Sequence, residues 1–409
     1  MSAIDRTVTA FVLDMGSTGL GVARSLGREG ISVVGADFKP DAPGLKSTYC
    51  RSLLTPNPTG CPEELLDMLL REGRKLRRRA ILYAASDPYI LFVSRFRKTL
   101  SEYFLFALPS EDIIECILDK RKQYELAERV GIPCPQSYHP RSLDEIKLIK
   151  DRIEYPAFVK PCYSHLWQEK FTGKGLKVNS QEQLLQKYAE VFETGLDAIV
   201  QEIVPGPTTN IVEVNTYLSR EGNAIGTFAT KKVRQYPVEF GVGTLLESIH
   251  NKETLSLALR YLKGIRYRGI GAIEFKRDSR DGTYKLVELN ARPWTQVIQA
   301  TCAGINFPLI QYMDLTDQPI PKFGDYQDGI KWLDAARDLM AFHESYRGRG
   351  SWPLAWLRSI WGTGCYAYCS FDDPMPFLRQ YTNYALKLTR QMLGTGASFQ
   401  PGQVSSQMD

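Results

Sequence analysis

Apolar and polar positions first change rhythm over residues 8–37. VTAFVLD (8–14) is nearly all apolar, Gly16-Ser17-Thr18-Gly19-Leu20-Gly21 follows, helical spacing runs to about Glu29, and ISVVGAD (31–37) is apolar again. This succession predicts a βαβ unit built around a glycine turn. Helical spacing near Glu63–Arg71, the strand AILYAA ending at Ser86-Asp87 and the short strand YFLFALP continue the pattern. Residues 1–118 are therefore expected to form a doubly wound α/β domain, with the basic run Arg74–Arg79 as solvated surface. The glycines are spaced GxxGxG rather than GxGxxG, which favours a structural turn over a dinucleotide phosphate site, and Asp37 reads as a strand end.

At Leu118-Asp119-Lys120 the spacing becomes amphipathic, and DKRKQYELAERVGIPCPQSY predicts a helix that stops at Gly131 before Pro133 and Pro135. In the strand PAFVKP, Lys160 lies among apolar neighbours. Its ammonium is expected to meet an anion, or else to snorkel from a core. CYSHLWQEKFTGKG (162–175) has the composition of a lid over phosphates, and equally of a surface hairpin. AIVQEIVPG places Gln201 and Glu202 just before a turn, where a backbone can offer adenine a carbonyl and an N–H while Val204 covers the ring. An ordinary edge strand would look the same.

Two further alternating runs, Ile270–Lys276 and Tyr284–Asn290, flank the turn residues Asp278-Ser279-Arg280-Asp281-Gly282 and predict a β-hairpin. A five-residue loop pairs Arg277 with Thr283 and sets Glu274 opposite Leu286, one diagonal step from Glu288 on the same face. That separation is about 7–8 Å at Cα, which two carboxylates can close on a shared ion. Asn290 faces the same side. Two carboxylates and an amide oxygen, without His or Cys, form a hard site suited to Mg²⁺ carrying nucleotide phosphates. A two-residue Asp281-Gly282 turn would instead send Glu288 to the other face, and a solvated edge hairpin is the plain alternative.

In Lys231-Lys232-Val233-Arg234-Gln235, Arg234 reads as a forked donor for a phosphate or carboxylate, against an exposed basic strand end. After about residue 322 the pattern is helical and aromatic: KWLDAARDLMAFHESY, GSWPLAWLRSIWG and PFLRQYTNYALKLTRQML. Packing of the Trp-rich helix on its own domain is favoured over a membrane surface. Asp372-Asp373-Pro374 reads as a turn or helix start, and GTGASFQPGQVSSQMD is expected to be disordered.

Composition narrows the classes. Of 409 residues 43% are hydrophobic and 24% charged, ordinary for a soluble chain with room for two or three domains. There is no basic leader followed by an apolar run and no stretch near 18 apolar residues, so a cytoplasmic location is expected. Eight scattered cysteines without a CxxC pair indicate neither a disulfide framework nor a zinc site. A net charge of +5 fits phosphate-bearing ligands without demanding nucleic acid. Four histidines (139, 165, 250, 343) lack metal spacing, and His165 alone, in the lid segment, is weighed as catalytic against a loop histidine.

The order of these segments over roughly residues 8–315 resembles the ATP-grasp superfamily, and within it the carboxylate-amine ligase group that includes D-aspartate ligase-like enzymes. The stretches that carry the resemblance are SDPYILFVSRFR, LDKRKQYELAERVGIPCP, SHLWQEKFTGK, KKVRQYPVEFGVG and YCSFDDPMPFL. It implies an α/β chain whose Rossmann-like N-terminal domain (1–118) precedes an ATP-grasp domain (119–325), with subdomains 119–200 and 201–325 clasping ATP and a C-terminal helical extension (326–409). It further implies that Lys120 and Lys160 contact the α- and β-phosphates, and that the loop from Ser164 through Gly173 and Lys174 to Gly175 closes over the triphosphate. Gln201, Glu202 and Val204 would lie at adenine, Glu274, Glu288 and Asn290 would ligate one or two Mg²⁺ ions, and Arg292 would hold the γ-phosphate or an acyl phosphate. Where the family places a ribose acid this chain has Pro207-Thr208-Thr209-Asn210, which leaves Glu213 as the candidate. Trp167 and Phe171 would shape an acceptor pocket or simply pack.

The implied activity is ATP-dependent amide formation between small-molecule carboxylate and amine substrates, an amino acid or peptide among them. A carboxylase, a phosphotransferase and a non-catalytic nucleotide-binding protein are the alternatives, and a nicotinamide oxidoreductase ranks last. No coiled-coil repeat or apolar seam decides whether the chain forms a homo-oligomer.

Overall fold

The computed structural model describes residues 4–167, 170–323, 325–346 and 352–392. Its strands form three sheets. The first comprises β1 (Ala10–Leu13), β2 (Val33–Asp37), β3 (Arg51–Leu54), β4 (Ala80–Ala84) and β5 (Phe104–Leu105), all parallel in the order β3-β2-β1-β4-β5. β1, β2 and β4 are buried along their whole length, as the unbroken apolar runs require of strands covered on both faces. The glycine turn serves packing: a Cβ on Gly19 would stand 1.8 Å from the Asp14 carbonyl oxygen.

The second sheet is small: β6 (Ser137–Tyr138), β7 (Ala157–Pro161), β8 (Leu176–Val178) and β9 (Ala198–Glu202), ordered β6-β9-β7-β8. It has its own core, including Val159, Val178, Leu184, Val200 and Trp167. Trp167 is buried and stacks on Phe171 at 4.2 Å, so these aromatics pack the small sheet.

The third sheet takes β10 (Ile211–Leu218), β11 (Ala224–Tyr236), β12 (Val242–Ser248), β13 (Gly269–Arg277), β14 (Tyr284–Asn290), β15 (Lys331–Leu333) and β16 (Thr363–Tyr366), ordered β14-β13-β10-β11-β12-β15-β16. Its core is continuous with that of the first sheet, joining Phe11 and Leu82 to Leu286 and Leu289 through Tyr124 of the helix Lys120–Arg129. The small sheet thus stands as a separate lobe over a larger body. The two meet along a broad boundary: Ile199 of β9 belongs to the larger core, Lys177 pairs with Glu239 at 2.8 Å and Phe158 stacks on Phe240 at 4.3 Å.

Two strands join the helices expected after residue 322. β15 pairs with β12 and β16 with β15, extending the large sheet. Asp373, read from sequence as a turn residue, is fully buried and holds Arg24 at 2.9 Å and the Thr48 N–H at 2.9 Å, tying the C-terminal region to the first sheet. Trp356 packs on its own chain, donating Nε1–H to Asp338 at 2.8 Å. No described helix is long and apolar enough to cross a membrane. The expected disordered tail lies outside the described residues.

The hairpin register differs from expectation. Arg277 pairs with Tyr284 rather than Thr283, and Phe275 with Leu286; then a bulge intervenes, and Glu274 pairs directly with Glu288. Val287 is the extra residue. Without it Glu274 would face Val287, and Glu288 would turn to the opposite face of the sheet. Both carboxylates share a face as anticipated, but a bulge brings them there.

Candidate active site

Strand pairing assembles the site. Glu213 on β10 faces Glu274 on β13, and Glu274 faces Glu288 on β14, so three carboxylates form a row across adjacent strands. Opposed Cβ atoms lie about 4.5–5.5 Å apart, close enough for like charges to destabilise one another. Two lysines offset that repulsion. Lys120, at the start of its helix, pairs with Glu288, and Lys232 of β11 reaches Glu274 at 2.5 Å; each lysine side chain is 6% exposed.

The row is electrostatically uneven. Burial opposes ionisation of Glu288, but Lys120, Lys174 and Lys160 outweigh it and hold its carboxyl below the usual carboxylate range. At Glu213 burial, then the charge of Glu274, push the carboxyl up to about 7 against the weaker pull of Lys232. Glu213 Oε1 accepts from Gln296 Nε2 at 2.7 Å and Asn215 Nδ2 at 3.2 Å. The structure therefore sets the candidate ribose acid inside the carboxylate row.

The bulge supplies a further contact. The Val287 carbonyl accepts from Tyr124 Oη at 2.7 Å and from Lys160 Nζ at 3.3 Å, while Lys160 also donates to Tyr124 Oη at 3.0 Å. Burial lowers the Lys160 pKa, with Glu288 and Glu274 opposing. Its anion is thus the acid row at one remove. Arg292, just past β14, donates Nε–H to Asp87 at 2.7 Å, and Asp87 opens a helix at the carboxyl end of β4. Ligands of open α/β sheets gather at that edge.

Residues 119–305 match the family model described as the carbamoyl-phosphate synthase L chain, ATP binding domain. These residues carry an ATP-grasp domain. The chain is 25% identical over 242 residues to the D-aspartate ligase of Enterococcus faecium (strain Aus0004), covering 56% of this chain and 57% of that protein. It thus spans little more than half the length of that relative. N5-carboxyaminoimidazole synthetase from Staphylococcus aureus, solved with ADP, shares the fold at a TM-score of 0.61 and 15% identity over 79% of this chain and 80% of that one. L-amino acid ligase from Bacillus licheniformis does so at 0.58 and 14%, over 76% and 75%.

Within this ATP-grasp frame, the structure gathers Lys120, Lys160, Lys174, Glu213, Glu274 and Glu288, with Asn290 two residues beyond Glu288 on the same face. Asn290 also lines a small cavity with Lys120 and Asp87. Between the antiparallel strands β7 and β8, Gly173 has φ +75° and Gly175 φ +154°. A Cβ on Gly175 would stand 2.4 Å from the Val159 carbonyl oxygen. The side chains of Ser164 and His165 lie outside the described residues.

Three expected residues are otherwise engaged. Arg234 forks onto Asp338 at 2.9 and 2.7 Å and lies over the Phe342 ring, so its guanidinium binds the C-terminal region instead of facing the acid row. The Gln201 side chain bonds Ser137 Oγ and Tyr124 Oη. The Glu202 N–H donates to the Gln136 carbonyl at 2.9 Å and its carboxylate accepts from Lys285 and Arg280; Val204 beside it is buried.

No group of three His, Cys, Asp or Glu side chains among the described residues is arranged to hold a metal alone. Glu274, Glu288 and Asn290 still fit Mg²⁺, because that ion commonly takes one or two carboxylates and completes its shell with substrate phosphates and water. The sequence reading missed Lys232, Gln296, Tyr124 and Asp87. Only Asp87 carried a signal, standing at the carboxyl end of a parallel strand.

Proposed function

We propose that this ATP-grasp protein is an ATP-dependent ligase that joins a carboxylate to an amine, with an amino acid or small peptide among its substrates. The row of carboxylates, matched by Lys120, Lys232 and Lys160 and continued to the first sheet by Arg292, is the observation that supports it. Lys120 and Lys160 bind the α- and β-phosphates, and the loop carrying Lys174 closes over the triphosphate. The segment Glu202–Val204 flanks adenine, with the Glu202 N–H already committed to Gln136. Glu274, Glu288 and Asn290 would hold Mg²⁺, which screens phosphate charge when bound.

Arg292 orients the γ-phosphate beside the edge of the first sheet. There a substrate carboxylate oxygen attacks the γ-phosphorus, the bond to the bridging oxygen breaks, and ADP leaves with the electron pair. The amine nitrogen then attacks the acyl carbon and loses a proton, and the carbon–oxygen bond to phosphate breaks. Positioning and charge stabilisation suffice, and no protein nucleophile is required.

The D-aspartate ligase relative and the L-amino acid ligase neighbour support the amide reading. The carboxyaminoimidazole synthetase neighbour supports a second reading, a carboxylase, which would depend on bicarbonate. Hydroxylamine trapping tests the first: Mg-ATP with pooled carboxylic acids should yield hydroxamates detected by mass spectrometry. ADP release that depends on bicarbonate and yields no hydroxamate from any pool would favour the carboxylase.

A further inference from the structure

A second cavity lies where the first sheet meets the C-terminal helix Met375–Met392. It measures about 440 Å³, in the range of small-molecule sites. One wall is acidic. Asp14 and Asp37 stand at the ends of the adjacent parallel strands β1 and β2, and Asp14 holds a left-handed φ of 78°. Asp37 is buried, accepting from the Met15 N–H at 2.6 Å and the Lys39 N–H at 2.8 Å. Burial and the charge of Asp14 push its carboxyl up to about 6. Two neighbouring carboxylates are acceptors for an ammonium group.

The facing wall is basic, with Arg379 and Lys387 projecting from the helix. Arg379 Nε is buried without a hydrogen-bond partner, and Nη2 makes only a 3.5 Å contact with the Pro40 carbonyl. A buried guanidinium donor left unpaired is costly, and a carboxylate is its natural acceptor. Opposite charges thus face each other across a space the size of a small metabolite.

We propose that this cavity binds a free amino acid, its ammonium on Asp14 and Asp37 and its carboxylate on Arg379. Asp14, Asp37 and Asp87, the partner of Arg292, all stand at the carboxyl ends of neighbouring parallel strands, so the cavity and Arg292 border the same edge of the first sheet. That the bound amino acid is a substrate rests on the ligase reading; that it binds here does not.

Calorimetry on the full chain without nucleotide tests this, with a panel of free L- and D-amino acids and the N-acetyl and carboxamide derivatives of each binder. At least one free amino acid should bind, and both derivatives should bind about tenfold or more weakly. Arg379→Ala should lose a similar factor and Arg379→Lys less, while Glu288→Gln should bind as the wild type does. Should Arg379→Ala fail to fold, the derivatives measured on the wild type decide the matter. Absence of binding across the panel, or equal affinity for free and derivatised forms, would overturn the proposal. Binding without any ADP release would leave it standing and count against the ligase reading instead.

Discussion

Replacing Glu213 with Gln removes the charge of the acid row that burial disfavours most, and the effect on stability has a definite sign. An unfolded glutamate ionises near 4.5, whereas Glu213 in the fold does so at about 7. Between those values the native state holds the extra proton, so stability falls as pH rises through that window and the loss is complete above about 7. At about 1.36 kcal/mol per pH interval of one, the rise from 4.5 to about 7 corresponds to roughly 3 kcal/mol. The Gln side chain keeps an oxygen to accept from Gln296 and cannot ionise. Urea unfolding followed by tryptophan fluorescence, without nucleotide or metal, should therefore show Glu213→Gln gaining about 2–3 kcal/mol on wild type between about pH 5 and pH 8. Parallel pH curves for the two proteins would refute the buried-acid argument.

Glu288→Gln should fold normally yet lose at least about a hundredfold in turnover, because it removes one of two carboxylates offered to Mg²⁺; a well-folded variant with wild-type rates would sink the metal assignment. Deleting Thr172–Lys174 should slow single-turnover chemistry more than it weakens ATP binding, and unchanged single-turnover rates would count against the lid. Trp167→Ala empties a buried, stacked position in the small sheet and should cost about 3–5 kcal/mol. Limited proteolysis should then cut first within residues 157–202.

Much of this arrangement was legible because local signals agreed with it. The apolar runs of β1, β2 and β4, the amphipathic spacing of the helix at Lys120 up to Gly131, and the alternation around Glu274 and Glu288 each have a periodicity that burial enforces. What stayed hidden depends on partners far along the chain. The Val287 bulge has no composition signal; its carbonyl is fixed by Tyr124 and Lys160, more than a hundred residues away in sequence. Arg234 looked like a ligand donor because Asp338, its acceptor, is 104 residues distant. β15 and β16 are three and four residues long, too short for periodicity to separate them from the flanking helices.

On the proposed function, the acid row serves the ATP-driven joining of a carboxylate to an amine. The most direct test is ADP and phosphate release from Mg-ATP, measured with pooled carboxylic acids, with and without pooled amines, and mass spectrometry of each positive pool. Release that requires both an acid and an amine, together with a product heavier than either by condensation, is the predicted result. Mg²⁺-dependent ATP binding with no release from any pool would contradict it.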